Sequence, residues 1–97
     1  MAKKIEWSER ARNELFEILE YRTKRNKSKT YSEKLNGLFL EAVEIVAGMP
    51  ETGIQTKFLN VRIKIVRDYL VYYRIQPEFI EVLEFWDSRR NPKKFKL

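Results

Sequence analysis

Cations and hydroxyls are the chemically competent side chains that this sequence offers in quantity. It contains no histidine and no cysteine. A Ser–His triad, a Cys–His pair, a thiolate nucleophile and a Cys- or His-ligated metal site are therefore ruled out. Gly37, Gly48 and Gly53 are isolated and make no phosphate-cradling loop. What remains is charge stabilisation. Arg62, Lys64, Arg74, Arg89 and Arg90 are of the type that holds a scissile phosphate, and Tyr72 could stack on a base. A ribonuclease can work with such a set when another group moves the 2′-hydroxyl proton. The same residues have plainer uses. Arg74 can pair with Glu81 across a sheet, and Arg62 and Lys64 can be ordinary solvent-facing strand residues. Tyr69, Tyr72, Tyr73, Phe79, Phe85 and Trp86 are first of all packing residues. No residue set calls for a cofactor or a metal.

The charge distribution says more than the total of +6. Arg22, Lys24, Arg25, Lys27 and Lys29 follow one another without an intervening acid, and Arg89, Arg90, Lys93, Lys94 and Lys96 repeat that density near the end. Acids gather on the first helix (Glu9, Glu14, Glu17, Glu20), which predicts a wet face there, and along the last strand (Glu81, Glu84, Asp87). Two basic clusters point to nucleic acid or to an acidic protein, or else to a surface that only aids solubility. At 97 residues the chain is expected to form one domain, with a core that needs no disulfide. The N-terminal residues lack the apolar run of a signal peptide, and no stretch approaches membrane-spanning length, so the cytoplasm is the expected compartment.

The elements that must position these side chains follow from hydrophobic period. Lys4–Trp7 reads as a short strand and Ser8 as a helix N-cap. Ala11, Leu15, Ile18 and Leu19 then recur at helical spacing to about Lys24. A second helix starting near Ser28 or Ser32 carries the stripe Tyr31, Leu35, Leu38, Ala42, Ile45 and Met49. Gly37 inside it marks an expected close helix–helix approach. Gly48 and Pro50 end it, in the order of a left-handed cap and a breaker. Past Pro50-Glu-Thr-Gly53 the period becomes 2. Strands are predicted at 61–66, 69–76 and 79–86, joined by turns at Arg67-Asp68 and Gln76-Pro77-Glu78-Phe79. The second turn places Arg74 opposite Glu81, Tyr73 opposite Val82 and Tyr72 opposite Leu83. The favoured register of the first hairpin packs Val61, Ile63 and Ile65 on the helices with Val71, Tyr73 and Ile75. Its other face then shows Arg62, Lys64, Leu70, Tyr72, Arg74, Leu83 and Phe85; a slip of one residue would turn Tyr73 outward. The expected fold is α+β, in the order β-α-α-β-β-β, with a helical hairpin on one face of an antiparallel sheet. Its outer face carries more apolar area than a lone domain normally shows, and so invites a covering partner.

With these elements in place the sequence resembles the RelE/ParE superfamily of type II toxins over nearly its whole length. The resemblance rests on the opening strand with Trp7-Ser8, the helix with Ala11 and Leu15, and the Pro50-Glu-Thr-Gly53 turn. It continues through Val61-Arg62, Tyr69-Leu-Val-Tyr-Tyr-Arg-Ile75 and Trp86-Asp-Ser-Arg-Arg-Asn-Pro92. It implies a bacterial cytoplasmic toxin silenced by a cognate acidic antitoxin, with operator DNA bound only through that antitoxin. One branch cleaves mRNA in the ribosome and the other poisons DNA gyrase. Arg62 and Lys64 match the basic sheet positions of the RelE-like nucleases, and Arg89 their C-terminal arginine; Arg74 would complete a phosphate-holding set. Two departures count against cleavage: Leu70 stands where those nucleases carry an arginine, and Phe95 where they carry a proton-transferring tyrosine. The resemblance therefore favours the ParE-like branch, with a nuclease of altered site or a degenerate toxin that retains only antitoxin binding as the alternatives. Partner contacts are expected at Arg62, Lys64, Leu70, Tyr72, Arg74, Phe85, Trp86, Arg89, Arg90, Lys93 and Lys94. An antitoxin helix or strand rich in Glu and Asp would lie along the outer sheet face or edge and cross the helical hairpin near Arg22 to Lys29.

Overall fold

The computed structural model describes residues 2–89. Its elements are β1 (Lys4–Trp7), α1 (Glu9–Asn26), α2 (Thr30–Gly48), a 3-10 turn (Pro50–Thr52), β2 (Ile54–Gln55), β3 (Val61–Val66), β4 (Tyr69–Ile75) and β5 (Phe79–Asp87). The α+β class and the β-α-α-β-β-β order stand, with the two-residue β2 added to them. The sheet order is β1-β5-β4-β3-β2. Pairing is antiparallel from β2 to β5, while β1 runs parallel to β5. Parallel neighbours cannot be joined by a tight turn, and here both helices and β2 to β4 lie between β1 and β5 in the chain. Among the described residues no helix is long and apolar enough to cross a membrane.

Ser8 caps α1 as its type requires. Its hydroxyl accepts the Ala11 N–H at 3.0 Å and donates to the Leu83 carbonyl at 2.9 Å, so the cap also fastens the helix start to β5. Lys27 ends α1 in the left-handed region, with φ of 52°. Helix α2 buries Ser32, Leu35, Phe39, Ala42, Val43, Val46 and Ala47. The stripe read from the sequence is thus rotated by about one residue. Leu35 and Ala42 are in the core, while Tyr31, Ile45 and Met49 are exposed. The reason is that Phe39 and the β-branched Val43 and Val46 fill the space over the sheet. Phe39 meets Tyr69 and Phe85 edge-on, with ring centroids 5.5 and 5.0 Å apart, and Trp7 stacks on Phe85 at 5.7 Å. Gly37 is no point of close approach, since a Cβ there would meet nothing within 4 Å. Gly48 is not left-handed either; the helix ends at Met49, whose φ of −139° and ψ of 78° are no longer helical.

Two local features set which side chains face the helices. The Arg67–Asp68 turn has two residues, so Val66 pairs with Tyr69, Lys64 with Val71 and Arg62 with Tyr73. Val71 and Tyr73 do face α2 as expected, but their β3 partners on that face are Arg62, Lys64 and Val66. Val61 and Ile63 instead pack on the far side with Tyr72 and Trp86. The sequence-based register had the wrong parity because it set β3 by its own alternation and not by the turn length. The second feature is a bulge. Tyr73 pairs with Val82 but Tyr72 pairs with Glu84, leaving Leu83 as the extra residue. The bulge reverses the alternation of β5 beyond it, so Phe85 turns into the main core and Trp86 away from it. Phe85 is therefore not an outer-face residue, and Tyr72 does not face Leu83.

The outer face is also less open than its composition implied. Phe58 folds over Val61, Ile63, Leu70, Tyr72, Leu83 and Trp86 to close a second, smaller core. Tyr72 and Trp86 are buried within it.

Gly37 and Gly53 should respond oppositely to alanine. Gly37→Ala adds helix propensity in open space and should raise stability by about 0.5–1 kcal/mol. Gly53→Ala drives a methyl into the Tyr73 hydroxyl and to 2.8 Å from the Ile63 carbonyl, and should lower stability by about 1–3 kcal/mol. Chemical denaturation of the two variants measures both signs.

Candidate functional site

The cations named from the sequence do not converge. The Arg62 guanidinium bends toward the chain before β2 and donates to the carbonyls of Gly53 at 2.9 Å and Glu51 at 3.3 Å. Tyr73 serves the same segment, donating to the Pro50 carbonyl at 2.6 Å and accepting the Gly53 N–H at 3.0 Å. Arg62 is thus spent on holding the 50–53 turn against the sheet. Lys64 lies on the helix side and lines a gap with Ala42, Val46 and Val71. Arg74 is one residue from Tyr73 and so projects from the opposite face. It stands opposite Glu81 in register, yet no ion pair within 4 Å forms between them among the described residues.

Arg89 is at the other end of the sheet. Asp87 pairs with Tyr69 and Arg62 with Tyr73, so about four residues of β4, roughly 13 Å, separate the two positions. Asp87 grips Arg89 through Nε at 3.0 Å and Nη2 at 2.8 Å, which raises the guanidinium pKa further. Leu70 is half-buried beside the second core, and Phe85, Tyr72 and Trp86 are buried. Arg90, Lys93, Lys94 and Phe95 lie outside the described residues. A phosphate clamp made of Arg62, Lys64, Arg74 and Arg89 is accordingly absent among the described residues.

What does converge is a basic pole at the end of the sheet where β3 turns into β4. The Nε of Arg22 donates to the Tyr69 hydroxyl at 3.0 Å. The guanidinium carbon lies 5.6–5.9 Å from the ring centroids of Tyr21, Tyr31 and Tyr69. The Tyr69 hydroxyl bond is the main cause of a raised Arg22 pKa, with the nearby Arg89 acting against it. The Ser88 N–H donates to the Asp68 carbonyl at 2.8 Å, which ties the end of β5 to the β3–β4 turn.

Sequence reasoning missed a clasp between α1 and β5. Past Trp7, β1 no longer covers β5, and the exposed strand edge is closed by the helix instead. The Ser8 N–H donates to the Val82 carbonyl at 3.0 Å, and Glu14 Oε1 accepts the Phe85 N–H at 3.0 Å. Glu14 therefore does not belong to the wet face of α1. Glu84 is 1% exposed, and Arg10 of the first turn of α1 forms an ion pair with it while also lying 3.5 Å from Glu14. Burial, and then the neighbouring Glu14, push Glu84 up to about 7, with Arg10 opposing. Burial also raises Glu14. The readable signals were an acid between Leu83 and Phe85 in an apolar strand and an Arg10–Glu14 spacing of one helical turn.

Comparison with known proteins bears on this arrangement. Residues 5–92 match the family model described as the ParE toxin of the type II toxin–antitoxin system, parDE. No curated protein sequence matches the chain. A solved structure described as a chromosomal ParDE toxin–antitoxin system from P. aeruginosa superposes with a TM-score of 0.75 at 14% identity. The match covers 89% of this chain and 96% of that one.

The clasp makes stability depend on pH. Glu84 holds its proton in the folded state to about pH 7 and in the unfolded state only to the ordinary glutamate value of 4.5. The folded state therefore binds more protons between those values, and stability falls as pH rises through that window. Glu14 acts in the same direction. Urea unfolding from pH 4.5 to 7.5 should show that decline, and Glu84→Gln should remove most of the Glu84 share of it.

Proposed function

The chain belongs to the ParE toxin family of type II toxin–antitoxin systems, and from that premise we propose that it arrests growth by binding DNA gyrase. The observation that carries this reading over message cleavage is the scatter of its cations. A nuclease of this size needs positive charge around one phosphate and a group that moves a proton. Arg62 is tied to backbone carbonyls, Arg74 leaves from the other face and Arg89 stands at the far end of the sheet. Leu70 supplies no charge, and the sequence has no histidine to carry the proton. Inhibition by binding needs none of these.

The partner that silences such a toxin is a cognate acidic antitoxin, met in the cytoplasm, and operator DNA is bound only through it. Exposed apolar side chains suit it in two places. One is the groove lined by Trp7, Leu15, Phe16, Leu19 and Leu40 on the helical hairpin. The other is the β2–β3 edge with Ile54, Leu59 and Ile65. These replace the outer sheet face as the expected cover, because Phe58 already closes most of that face.

Purified protein added to gyrase and plasmid should block supercoiling and trap linear, cleaved DNA. The same protein added to translating ribosomes should leave the message intact. Full supercoiling at high protein excess would overturn the gyrase reading, and cut message in the second reaction would replace it with the nuclease one.

A further inference from the structure

Cations that are far apart in sequence meet at the basic pole. Arg22 comes from the last turns of α1, Lys27 from its left-handed end, Arg67 from the β3–β4 turn and Arg89 from just past β5. Three observations hold Arg22 together with the segments that carry Arg67 and Arg89: the Arg22–Tyr69 hydrogen bond, the Ser88–Asp68 hydrogen bond and the Asp87–Tyr69 pairing; Lys27 flanks them from the end of α1. The gathering is therefore a property of the fold.

The state of each arginine is informative. Arg22 has no carboxylate within 4 Å among the described residues. Its guanidinium is propped instead by one phenol oxygen and the faces of three tyrosines. Such a group loses little rotamer freedom on binding an anion. Arg89 uses Nε and Nη2 on Asp87, which leaves Nη1 available. Arg67 is exposed at φ 56° on the tip of a two-residue turn, and Lys27 is exposed about one and a half turns beyond Arg22. Arg22 and Arg89 repel one another, and an anion between them would relieve that repulsion.

We propose that this pole, made of Arg22, Lys27, Arg67 and Arg89, binds the phosphate backbone of duplex DNA without reading its sequence. Arg67 stands on the tip of the β3–β4 turn, Lys27 at the end of α1 where the chain turns into α2, and Arg89 is exposed just past β5. The cleft beside it, between α1 and β5, has Glu14, Glu17 and Asp87 among its lining residues. An acidic peptide that needed this cleft for its side chains would meet those carboxylates. A phosphate backbone needs contact only with the cations. The inference goes beyond gyrase binding: it gives the toxin its own hold on DNA, separate from operator recognition by an antitoxin.

The test uses the full-length chain and a short fluorescent duplex of arbitrary sequence, with no gyrase present, so its outcome is independent of the gyrase reading. Anisotropy titrations across a salt series should show binding at low salt. The slope of log K against log salt should be about −3, as expected for three to four neutralised phosphates. Arg22→Gln and Arg67→Gln should each lower the affinity several-fold and make the slope shallower by about 1. Arg22→Lys should keep the slope. Lys4→Gln, which removes the same charge at the opposite end of the sheet, should change affinity far less; thermal melts confirm that the variants are folded. No binding at low salt would overturn the proposal, as would equal losses from Lys4→Gln and Arg67→Gln. If polyglutamate displaces the duplex as well as unlabelled DNA does at equal charge, the pole is a site for acidic protein and the proposal falls.

Discussion

In a hairpin closed by a two-residue turn, the side chains that share a face have numbers of opposite parity, and Arg67–Asp68 imposes that rule on β3 and β4. Everything placed on β3 follows from it. Val71 and Tyr73 must enter the core under α2, because Val43, Val46 and Phe39 need apolar partners there. Their companions on that face are then Lys64 and Arg62, whatever their charge. Arg62 resolves the conflict by reaching past the core to the carbonyls of the 50–53 turn, and Lys64 by laying its aliphatic stem along it. The aliphatic residues Val61 and Ile63 are sent to the far face, which explains why Phe58 must fold back to cover them. One turn thus divides the basic residues of the sheet between its two sides.

The bulge at Leu83 is the second constraint, and it works with the first. By reversing the alternation of β5 it turns Phe85 toward Phe39 and Trp7 and Trp86 toward Val61 and Tyr72, so each core receives one large ring. It also leaves Glu84 buried, where the Arg10 ion pair and a carboxyl that burial pushes up to about 7 make it tolerable. The clasp that results closes the stretch of β5 edge left uncovered by the short β1. An exposed strand edge and a buried carboxylate, each unfavourable alone, are satisfied by the same turn of α1.

The residues that could be read correctly from sequence are those whose role is local. Ser8 is a cap because its hydroxyl faces its own helix, and Gln76-Pro77-Glu78-Phe79 is a turn because the proline ring presets φ. The Arg74–Glu81 and Tyr73–Val82 pairings followed from that turn and hold. The pairing failed at Tyr72, one residue into the bulge, since no residue type announces a bulge here. The α2 stripe was off by one position because leucine, isoleucine and valine fill both candidate faces, and only the sheet beneath decides between them. The candidate site was legible by composition and not by place. Arg22, Arg67 and Arg89 are plainly basic in the sequence, but their meeting depends on Tyr69 and on contacts across more than forty residues. Glu14 and Glu84 looked like surface acids, because nothing local to either shows that α1 crosses β5 there.

The functional reading rests on that same division of charge. A sheet that kept Arg62, Lys64 and Arg74 on one face would offer a phosphate clamp; this one keeps them apart and gathers its other cations at one pole. The register of β3 against β4 is therefore the point on which the account turns, and nuclear Overhauser spectroscopy reads it directly. Facing residues in a non-hydrogen-bonded antiparallel pair bring their Hα atoms into close contact. Strong Hα–Hα cross-peaks are expected between Ile63 and Tyr72 and between Ile65 and Leu70. Cross-peaks that instead join Ile63 to Val71 or Tyr73 would contradict this register, returning Arg62 and Lys64 to the face of Arg74.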